Sequence, residues 1–461
     1  MRSATETTLD LLRQATIGSE YESRLFLVGG YVRDQLLKLP VPEDLDIVLE
    51  GDALELAHFL YRQRICDHTP VVYPRFGTAM VSIDGVPVEL VTARRESYQS
   101  ESRHPDVVPA TLADDARRRD FTINTLMRNL HTNELIDPLQ VGILDLSKGV
   151  LRTPLDPIAT FSDDPLRMLR AIRFAVKLNF IIVPECYEAI KETASRLEII
   201  SEERIRDEFI KIMALPNCTK GIAMLFETGL LQQFAPELTA MRGMAQNDYH
   251  IYDVWDHTMA ALDVLNPNTS TETRIALLFH DVGKPLTYSQ DANERVHFYN
   301  HEVIGADITH EVLQRLKFSN SQIAEIADMV RLHMRVGGYD PSWNNAAMRR
   351  LVRDVGDLFE PMLDLCKADA KARREDLGGP DFESLEERVA KVRADFDVTK
   401  AVSPLSGEEI MEHLHLIEGP KVGYFKDALT DAIIEGILKP DDKEGAYKLL
   451  DQIAEGLQEK E

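Results

Sequence analysis

Two carboxylates one residue apart, Asp44 and Asp46, are the side chains of this sequence best suited to chemistry. They stand in EDLDIVLE, where LDIVL has the composition of a β-strand. Upstream, LFLVGG reads as a strand entering a Gly29-Gly30 turn, and YVRDQLL, with Arg33, reads as a short helix leaving it. Side chains at i and i+2 of a strand share a face, so Asp44 and Asp46 present two carboxylates side by side. Such a pair is costly to hold unless divalent cations neutralise it. Hard oxygen ligands suit Mg²⁺, which commonly takes one or two carboxylates plus substrate phosphates. The backbone N–H groups of a Gly-Gly turn at a helix start are donors for phosphate oxygens. A phosphate cradle followed by a metal dyad predicts metal-assisted nucleotidyl transfer.

The stretch GGYVRDQLL…EDLDIV resembles the signature of the nucleotidyltransferase superfamily related to DNA polymerase beta. More narrowly, it resembles the bacterial tRNA nucleotidyltransferase and poly(A) polymerase family. The resemblance implies an α+β chain. Its head is polymerase-beta-like, a mixed sheet with helices, followed by an all-α neck and body with an α-helical HD domain. It also implies a third acidic residue on a neighbouring strand. Glu89 in VPVELV is placed for that role, the alternative being an exposed strand carboxylate. DDARRRDFTINTLM matches the family element RRDFTINAL at Arg118, Arg119, Asp120 and Asn124, which the family uses for ribose and triphosphate contacts. Arginines neutralise a triphosphate through forked hydrogen bonds. The preceding segment from Arg94 to Ala116 is polar and irregular in its first half, as expected of a mobile loop, and it looks full-length.

SDDPLRMLRAIRFAV, Ser162–Val176, reads as a helix with Asp164 as N-cap and Pro165 at N1. Leu166, Leu169, Ile172 and Val176 form its apolar stripe, and Arg167, Arg170 and Arg173 lie off it. The start resembles the family motif EDxxR, which reads the incoming base without a nucleic-acid template. The matches are Asp163, Asp164 and Arg167, with Arg170 following, and Asp163 stands where the family usually has Glu. Cytosine and adenine each carry an exocyclic amino donor beside a ring-nitrogen acceptor, which a carboxylate and an arginine complement. Uracil and guanine offer a carbonyl in place of the amino group and leave the carboxylate unmatched.

A second constellation follows: His257 in VWDHTMAAL, His280-Asp281 in LLFHDVGKP, His301 in FYNHEVIGAD and Asp369 in CKADAKA. Histidine and carboxylate suit Mn²⁺, Fe²⁺, Ni²⁺, Co²⁺ or Zn²⁺. With the His-Asp pair read as helical, the set resembles the HD metal-dependent phosphohydrolase domain, and His333 is an added candidate. That resemblance implies either hydrolysis of a 2′,3′-cyclic or 2′-phosphate, or an inactive scaffold that retains the fold.

These side chains need several elements to hold them. The 461 residues are too many for one ordinary core. RLFLVGG, LDIVLE, TAMVSI and VPVELVTA read as strands, and from about Pro157 onward the strand signal fades into helices. The expected division is a head over residues 1–150 and a helical neck with base-recognition and RNA-binding regions over 151–240. An HD domain over 241–375 and a C-terminal helical tail over 376–461 complete it.

A composition 44% hydrophobic and 28% charged is that of a globular protein. No apolar run approaches a membrane span, and MRSATETTLDLLRQ lacks the features of a signal peptide. Four cysteines without a CxxC fit a reducing cytoplasm. The net charge of −25 opposes nonspecific nucleic-acid binding but is compatible with a nucleic-acid enzyme whose clustered arginines are concentrated in a groove. The acidic remainder fits either a high-salt habitat or a need for solubility.

With nearly the whole chain covered, the resemblance implies a class II tRNA nucleotidyltransferase. It would add CCA from CTP and ATP to tRNA with Mg²⁺, with a transition metal (Mn, Ni, Fe or Co) at the HD cluster and no membrane partner. A-only addition stays open. CC-only enzymes lack part of the loop present here, and poly(A) polymerases carry a more basic tail. An HD phosphohydrolase with a degenerate head, or a non-enzymatic RNA-binding protein, conflicts with the intact DLD. No feature of the sequence sets an oligomeric state.

Overall fold

The computed structural model describes residues 4–97, 106–245, 253–373, 379–395 and 402–458. Contacts divide the chain into two units, Met1–Pro236 and Glu237–Glu461. Among the described residues no helix is long and apolar enough to cross a membrane, and all four cysteines are free.

The first unit is built on a seven-stranded sheet. Its strands are β1 (Leu25–Val28), β2 (Leu45–Leu49), β3 (Val71–Tyr73), β4 (Thr78–Ile83), β5 (Val86–Thr92), β8 (Met127–Asn129) and β9 (Leu135–Ile136). A separate ribbon pairs β6 (Arg94–Ser97) with β7 (Asp106–Pro109). The sheet order is β3-β4-β5-β2-β1-β8-β9, antiparallel except where β2 runs parallel to β5. Interior strand β1 is buried along its whole length, hence its unbroken LFLV. β5 alternates instead, with Val88 and Leu90 turned into the core and Glu89 on the open face.

Helix α1 (Gly30–Leu36) leaves β1 through Gly29, whose φ of 69° is left-handed backbone that glycine adopts without strain. Helix α2 (Leu112–Arg117) starts in a Thr111–Asp114 capping box. The neck then departs from the sequence reading. Ser162 and Asp163 close one helix, α3 (Pro157–Asp163), and a second, α4 (Leu166–Leu178), begins after them. Pro165 supplies no backbone donor and pushes Asp164 to extended backbone (φ −137°, ψ 95°), so the two helices cannot fuse. The expected stripe of Leu166, Leu169, Ile172 and Val176 is buried. Helix α5 (Glu202–Met213) packs on α4.

The region beyond Pro157 is not free of strands. Ile181–Ile182 pairs with Val150–Leu151, and Tyr288–Gln290 pairs with Val296–Phe298 as a hairpin. Strands of two or three residues, such as the YSQ and VHF of this hairpin, carry too little periodicity to announce themselves. The segment from Arg94 to Ala116, expected to be irregular in its first half, carries β6 and β7, and residues 98–105 lie outside the described ones.

The second unit is helical. Five helices carry the histidine cluster: α6 (Val254–Val264), α7 (Thr271–Phe279), α8 (His301–Arg315), α9 (Asn320–Gly337) and α10 (Phe359–Lys371). A separate apolar cluster around Ile410, Phe425, Leu429 and Leu450 holds the C-terminal helices together.

Candidate functional site

In the head, the parallel register sets Asp46 directly beside Glu89. Asp44 lies in the bend one residue ahead of β2 rather than within it, and is exposed. A Cβ placed on Gly29 would meet Asp46 Oδ2 at 3.4 Å and Arg119 Nη1 at 3.7 Å, so the turn, the carboxylate and the guanidinium share one small volume. Burial pushes the Asp46 carboxyl up to about 6; the neighbouring Glu89 and Asp44 add to the rise, and Arg119 opposes it. Three carboxylates gathered at one edge of the sheet are an oxygen donor set that lacks positive charge, and a divalent cation of the Mg²⁺ type fits it.

The arginine element is organised by a residue that the motif reading passed over. Asp115 is fully buried. Arg118 Nε and Nη2 donate to its Oδ1 at 2.9 and 2.5 Å, while Arg119 Nε and Nη2 donate to its Oδ2 at 3.1 and 3.0 Å. The i, i+3 and i, i+4 spacing in DDARRR was the available signal. Burial pushes the Asp115 carboxyl up, but Arg119 and Arg118 outweigh it and hold it below the ordinary value.

Asn124 and Asp120 form a buried chain with two arginines. Arg33 Nη1 donates to Asn124 Oδ1 at 2.8 Å, and Asn124 Nδ2 donates to Asp120 Oδ1 at 2.9 Å. Arg170 Nε and Nη2 then donate to Asp120 Oδ2 at 2.9 and 2.6 Å. Arg33 is 3% exposed and also donates to Asp34 at 2.7 Å, so as placed it supports Asn124 from within the fold. The guanidiniums of Arg33, Arg170 and Arg173 lie 4.8, 5.4 and 4.4 Å from the centre of the Phe174 ring. Phe174 was not predicted as part of the site, because in sequence it is one more apolar residue of a helix.

On the neck, Arg167 is buried and its Nη2 donates to the Arg118 carbonyl at 2.6 Å. Asp163 and Arg167 line one cavity of about 250 Å³ with Arg95, Arg117, Arg118 and Thr160. Asp164 does not line it. Its Oδ1 accepts from Leu166 N at 3.3 Å, and its Oδ2 accepts from Arg204 Nη2 at 3.3 Å.

In the second unit, His257, His280, Asp281, His301 and Asp369 come together as the sequence order predicts, and His333 joins them. His280 caps the end of α7 and Asp281 follows in the turn, so the pair stands just beyond a helix rather than on one. His257 Nε2 lies 2.9 Å from Asp369 Oδ1, and His280 Nε2 lies 3.2 Å from Asp281 Oδ2. The turn approaches α8 closely because Gly283 has no side chain: a Cβ there would stand 2.2 Å from the His301 carbonyl. Lys284 Nζ donates to Asp281 Oδ2 at 2.7 Å, and Arg373 pairs with Asp369.

Burial opposes charge on His280, but Asp281 and Asp369 raise it to about 10. Burial and the charge of His280 and His301 push His333 down to about 3. His280 Nε2 is buried and makes no hydrogen bond of ordinary geometry. Imidazole nitrogens and carboxylate oxygens converging in this way fit a transition metal ion.

A sheet with a carboxylate pair at its open face, an arginine-rich neck and a His/Asp cluster in a helical unit define a nucleotidyltransferase head joined to an HD region. The sequence matches the Poly A polymerase head domain over residues 25–152 and the probable RNA- and SrmB-binding site of polymerase A over 179–242. It matches the HD domain over 247–371. It is 35% identical to the A-adding tRNA nucleotidyltransferase of Deinococcus radiodurans over 341 residues, 70% of this chain and 76% of that one. It is 32% identical to the CC-adding tRNA nucleotidyltransferase of Thermus thermophilus, covering 73% and 77%. It is 33% identical to the multifunctional CCA protein of Neisseria gonorrhoeae, covering 76% and 84%. The CCA-adding enzyme of Bacillus stearothermophilus, solved with CTP, shares the fold across 100% of both chains, with a TM-score of 0.68 at 22% identity. The chain belongs to the tRNA nucleotidyltransferase and poly(A) polymerase family, and it is an enzyme of the nucleotidyltransferase class.

Proposed function

We propose that this enzyme adds C, C and A, in that order, to the 3′ end of tRNA, selecting CTP and ATP without a nucleic-acid template. The observation that carries the reading is Asp46 set beside Glu89 and against Gly29 and Arg119. The tRNA 3′-hydroxyl attacks the α-phosphate, the bond to the bridging oxygen breaks, pyrophosphate leaves and the hydroxyl proton passes to solvent. Asp44 and Asp46, with Glu89 beside them, would hold Mg²⁺, which supplies charge neutralisation at the attacking and leaving oxygens.

The chain's own residues do the positioning. The Gly29-Gly30 turn offers backbone donors to the phosphates. Arg118 and Arg119, splayed by Asp115, face the triphosphate as fixed forks. Asp120 and Asn124, tied to Arg33 and Arg170, hold the ribose side of the pocket. Asp163, Asp164 and Arg167 read the base; the shared cavity of Asp163 and Arg167 beside Arg118 supports this for two of the three. The division into a head over 1–150, a neck over 151–240, an HD domain over 241–375 and a tail over 376–461 follows the same reading, as does work in the cytoplasm.

The test is to offer labelled CTP, ATP, GTP and UTP, singly and together, with Mg²⁺ and tRNA transcripts ending before CCA, after C and after CC. Addition of CC and then a single A is the expected result. Extension of the CC-ended tRNA alone would make the enzyme A-adding, as the Deinococcus relative is named. Long A tracts on unrelated RNA would make it a poly(A) polymerase.

A second activity is favoured by the buried His/Asp cluster: hydrolysis of a phosphate ester with Mn, Ni, Fe or Co bound there, the metal supplying an activated water. Phosphate release that requires an added transition metal and is lost in Asp281→Ala, with nucleotidyl transfer retained, tests it.

A further inference from the structure

We propose that Phe174 is a positioning residue for the incoming nucleotide: its ring gathers the two arginines that fix the Asn124 amide for the ribose. Phe174 lies on the neck helix α4 and is 4% exposed. It meets the Phe121 ring of the head at 5.9 Å and 85°, edge to face. Around it stand the guanidiniums of Arg33, Arg170 and Arg173, at 4.8, 5.4 and 4.4 Å from its centre. All three fall within the roughly 6 Å over which a ring face attracts a cation. Arg33 comes from α1 of the head, and Arg170 and Arg173 from α4 itself.

Each guanidinium already has a carboxylate: Asp34 for Arg33, Asp120 for Arg170 and Glu208 for Arg173. The ring is therefore not needed to balance charge. It supplies a common surface that sets where Arg33 and Arg170 stand relative to each other.

That spacing matters because these two arginines are the ends of one hydrogen-bond chain. Arg33 donates to Asn124 Oδ1, Asn124 Nδ2 donates to Asp120 Oδ1, and Arg170 donates to Asp120 Oδ2. Arginine only donates, so Asn124 turns its oxygen to Arg33 and its amide nitrogen to Asp120. Asp120 Oδ1 also accepts from the Phe121 N–H at 2.9 Å. The Asp120 carboxylate thus accepts four hydrogen bonds, which fills its roughly four lone-pair sites. Asn124 keeps one amide hydrogen and one oxygen lone pair. Of the two residues on the ribose side, Asn124 is the one with groups left for the 2′-hydroxyl, and the arginine pair sets where they point. Without the flat ring, Arg33 and Arg170 lose their shared support, and the amide moves with them. The inference rests on the reading of this pocket as the site of the incoming nucleotide.

The experiment titrates CTP and dCTP, with Mg²⁺ and without tRNA, into the full chain and its variants by calorimetry. The parent binds CTP more tightly than dCTP. In Phe174→Leu that preference falls by about 10-fold, the weight of one ordinary hydrogen bond. Phe174→Met takes its place should the leucine variant misfold. Phe174→Tyr, which keeps the ring, keeps the parent's ratio. Asn124→Ala loses the preference to the same extent as Phe174→Leu, and combining the two changes the ratio no further. A ratio unchanged in Phe174→Leu, with CTP and dCTP weakened equally or not at all, overturns the positioning role, as does an equal loss in Phe174→Tyr. A parent that binds neither nucleotide overturns the nucleotide reading itself, and the inference with it.

Discussion

Arg170, on the neck helix α4, donates two hydrogen bonds to a single oxygen of Asp120, the aspartate of the RRDFTIN element. One ion pair therefore ties the head to the helix that follows the base-reading motif. Burial pushes the Asp120 carboxyl up, but Arg170, the Asn124 amide and Arg167 outweigh it and hold it at about 2. A depressed carboxyl contributes stability above its unfolded value of about 3.8, and that contribution, about 2 kcal/mol, is lost as pH falls through about 2. Arg170→Met strands the buried charge and is expected to cost about 3 kcal/mol, since Arg170 is itself partly exposed. Urea unfolding at pH 7 and pH 3 checks this: the gap between parent and variant should narrow at the lower pH.

Removal of the Asp44 or the Asp46 carboxylate should abolish nucleotidyl transfer without unfolding the head. Asp44 is exposed and Asp46 half-buried, so Asp44→Asn and Asp46→Asn should keep the parent's melting temperature within a few degrees. Incorporation of labelled CTP should fall by roughly 10³-fold or more, because the charge developed in transfer loses its counter-ion. Glu89→Gln, one strand away, should cost less.

If Asp46 holds Mg²⁺ as proposed, proton and Mg²⁺ compete for it. Its carboxyl sits at about 6, above the unfolded value, so the proton-stabilised form prevails below that pH and is lost as pH rises through it. The concentration of Mg²⁺ giving half-maximal CTP addition should rise steeply on going from pH 7 to pH 5 and level off above pH 7. Turnover measured over a Mg²⁺ series at each pH tests it, and a flat profile would exclude Asp46 as a ligand.

Asp115 touches no substrate in this reading, yet it aims both arginines of the RRD element. Asp115→Asn keeps the volume and weakens two charge-assisted forks. The expected result is a KM for CTP and ATP raised by about 10-fold, with a smaller change in kcat, because ground-state positioning of the triphosphate is what is lost. Steady-state kinetics on CC-ended tRNA read the split.

Gly283 is the point where the HD turn meets the start of α8. Gly283→Ala places a methyl group against the His301 carbonyl and must move the turn or the helix. The expected outcome is a cost of about 1–3 kcal/mol from overpacking, and loss of transition-metal binding with CCA addition unimpaired. Calorimetry and metal analysis of the same sample measure both.

The sequence by itself determined the chemistry. DLD after a Gly-Gly turn, RRDFTIN, DDPLR and the spaced HD set are short-range patterns whose residue types limit what they can do, although Asp44 falls just ahead of its strand, Asp163 closes the preceding helix and His280-Asp281 stand just past a helix end. It also determined the strands that carry Asp46 and Glu89, because buried β-branched runs bounded by turns are local signals. Tertiary structure alone decided the pairings. That Asp46 stands beside Glu89 depends on a parallel register between strands separated by β3 and β4. That Arg33 faces Asn124, and Asp120 faces Arg170, depends on how α1 and α4 pack around one 3₁₀ turn, Thr122–Asn124. The break at Asp164-Pro165 and the hairpin of Tyr288–Gln290 with Val296–Phe298 are local, one set by the proline ring and the other by pairings too short to show a period. The pairings are set by contacts between residues far apart in the chain, which local composition does not record.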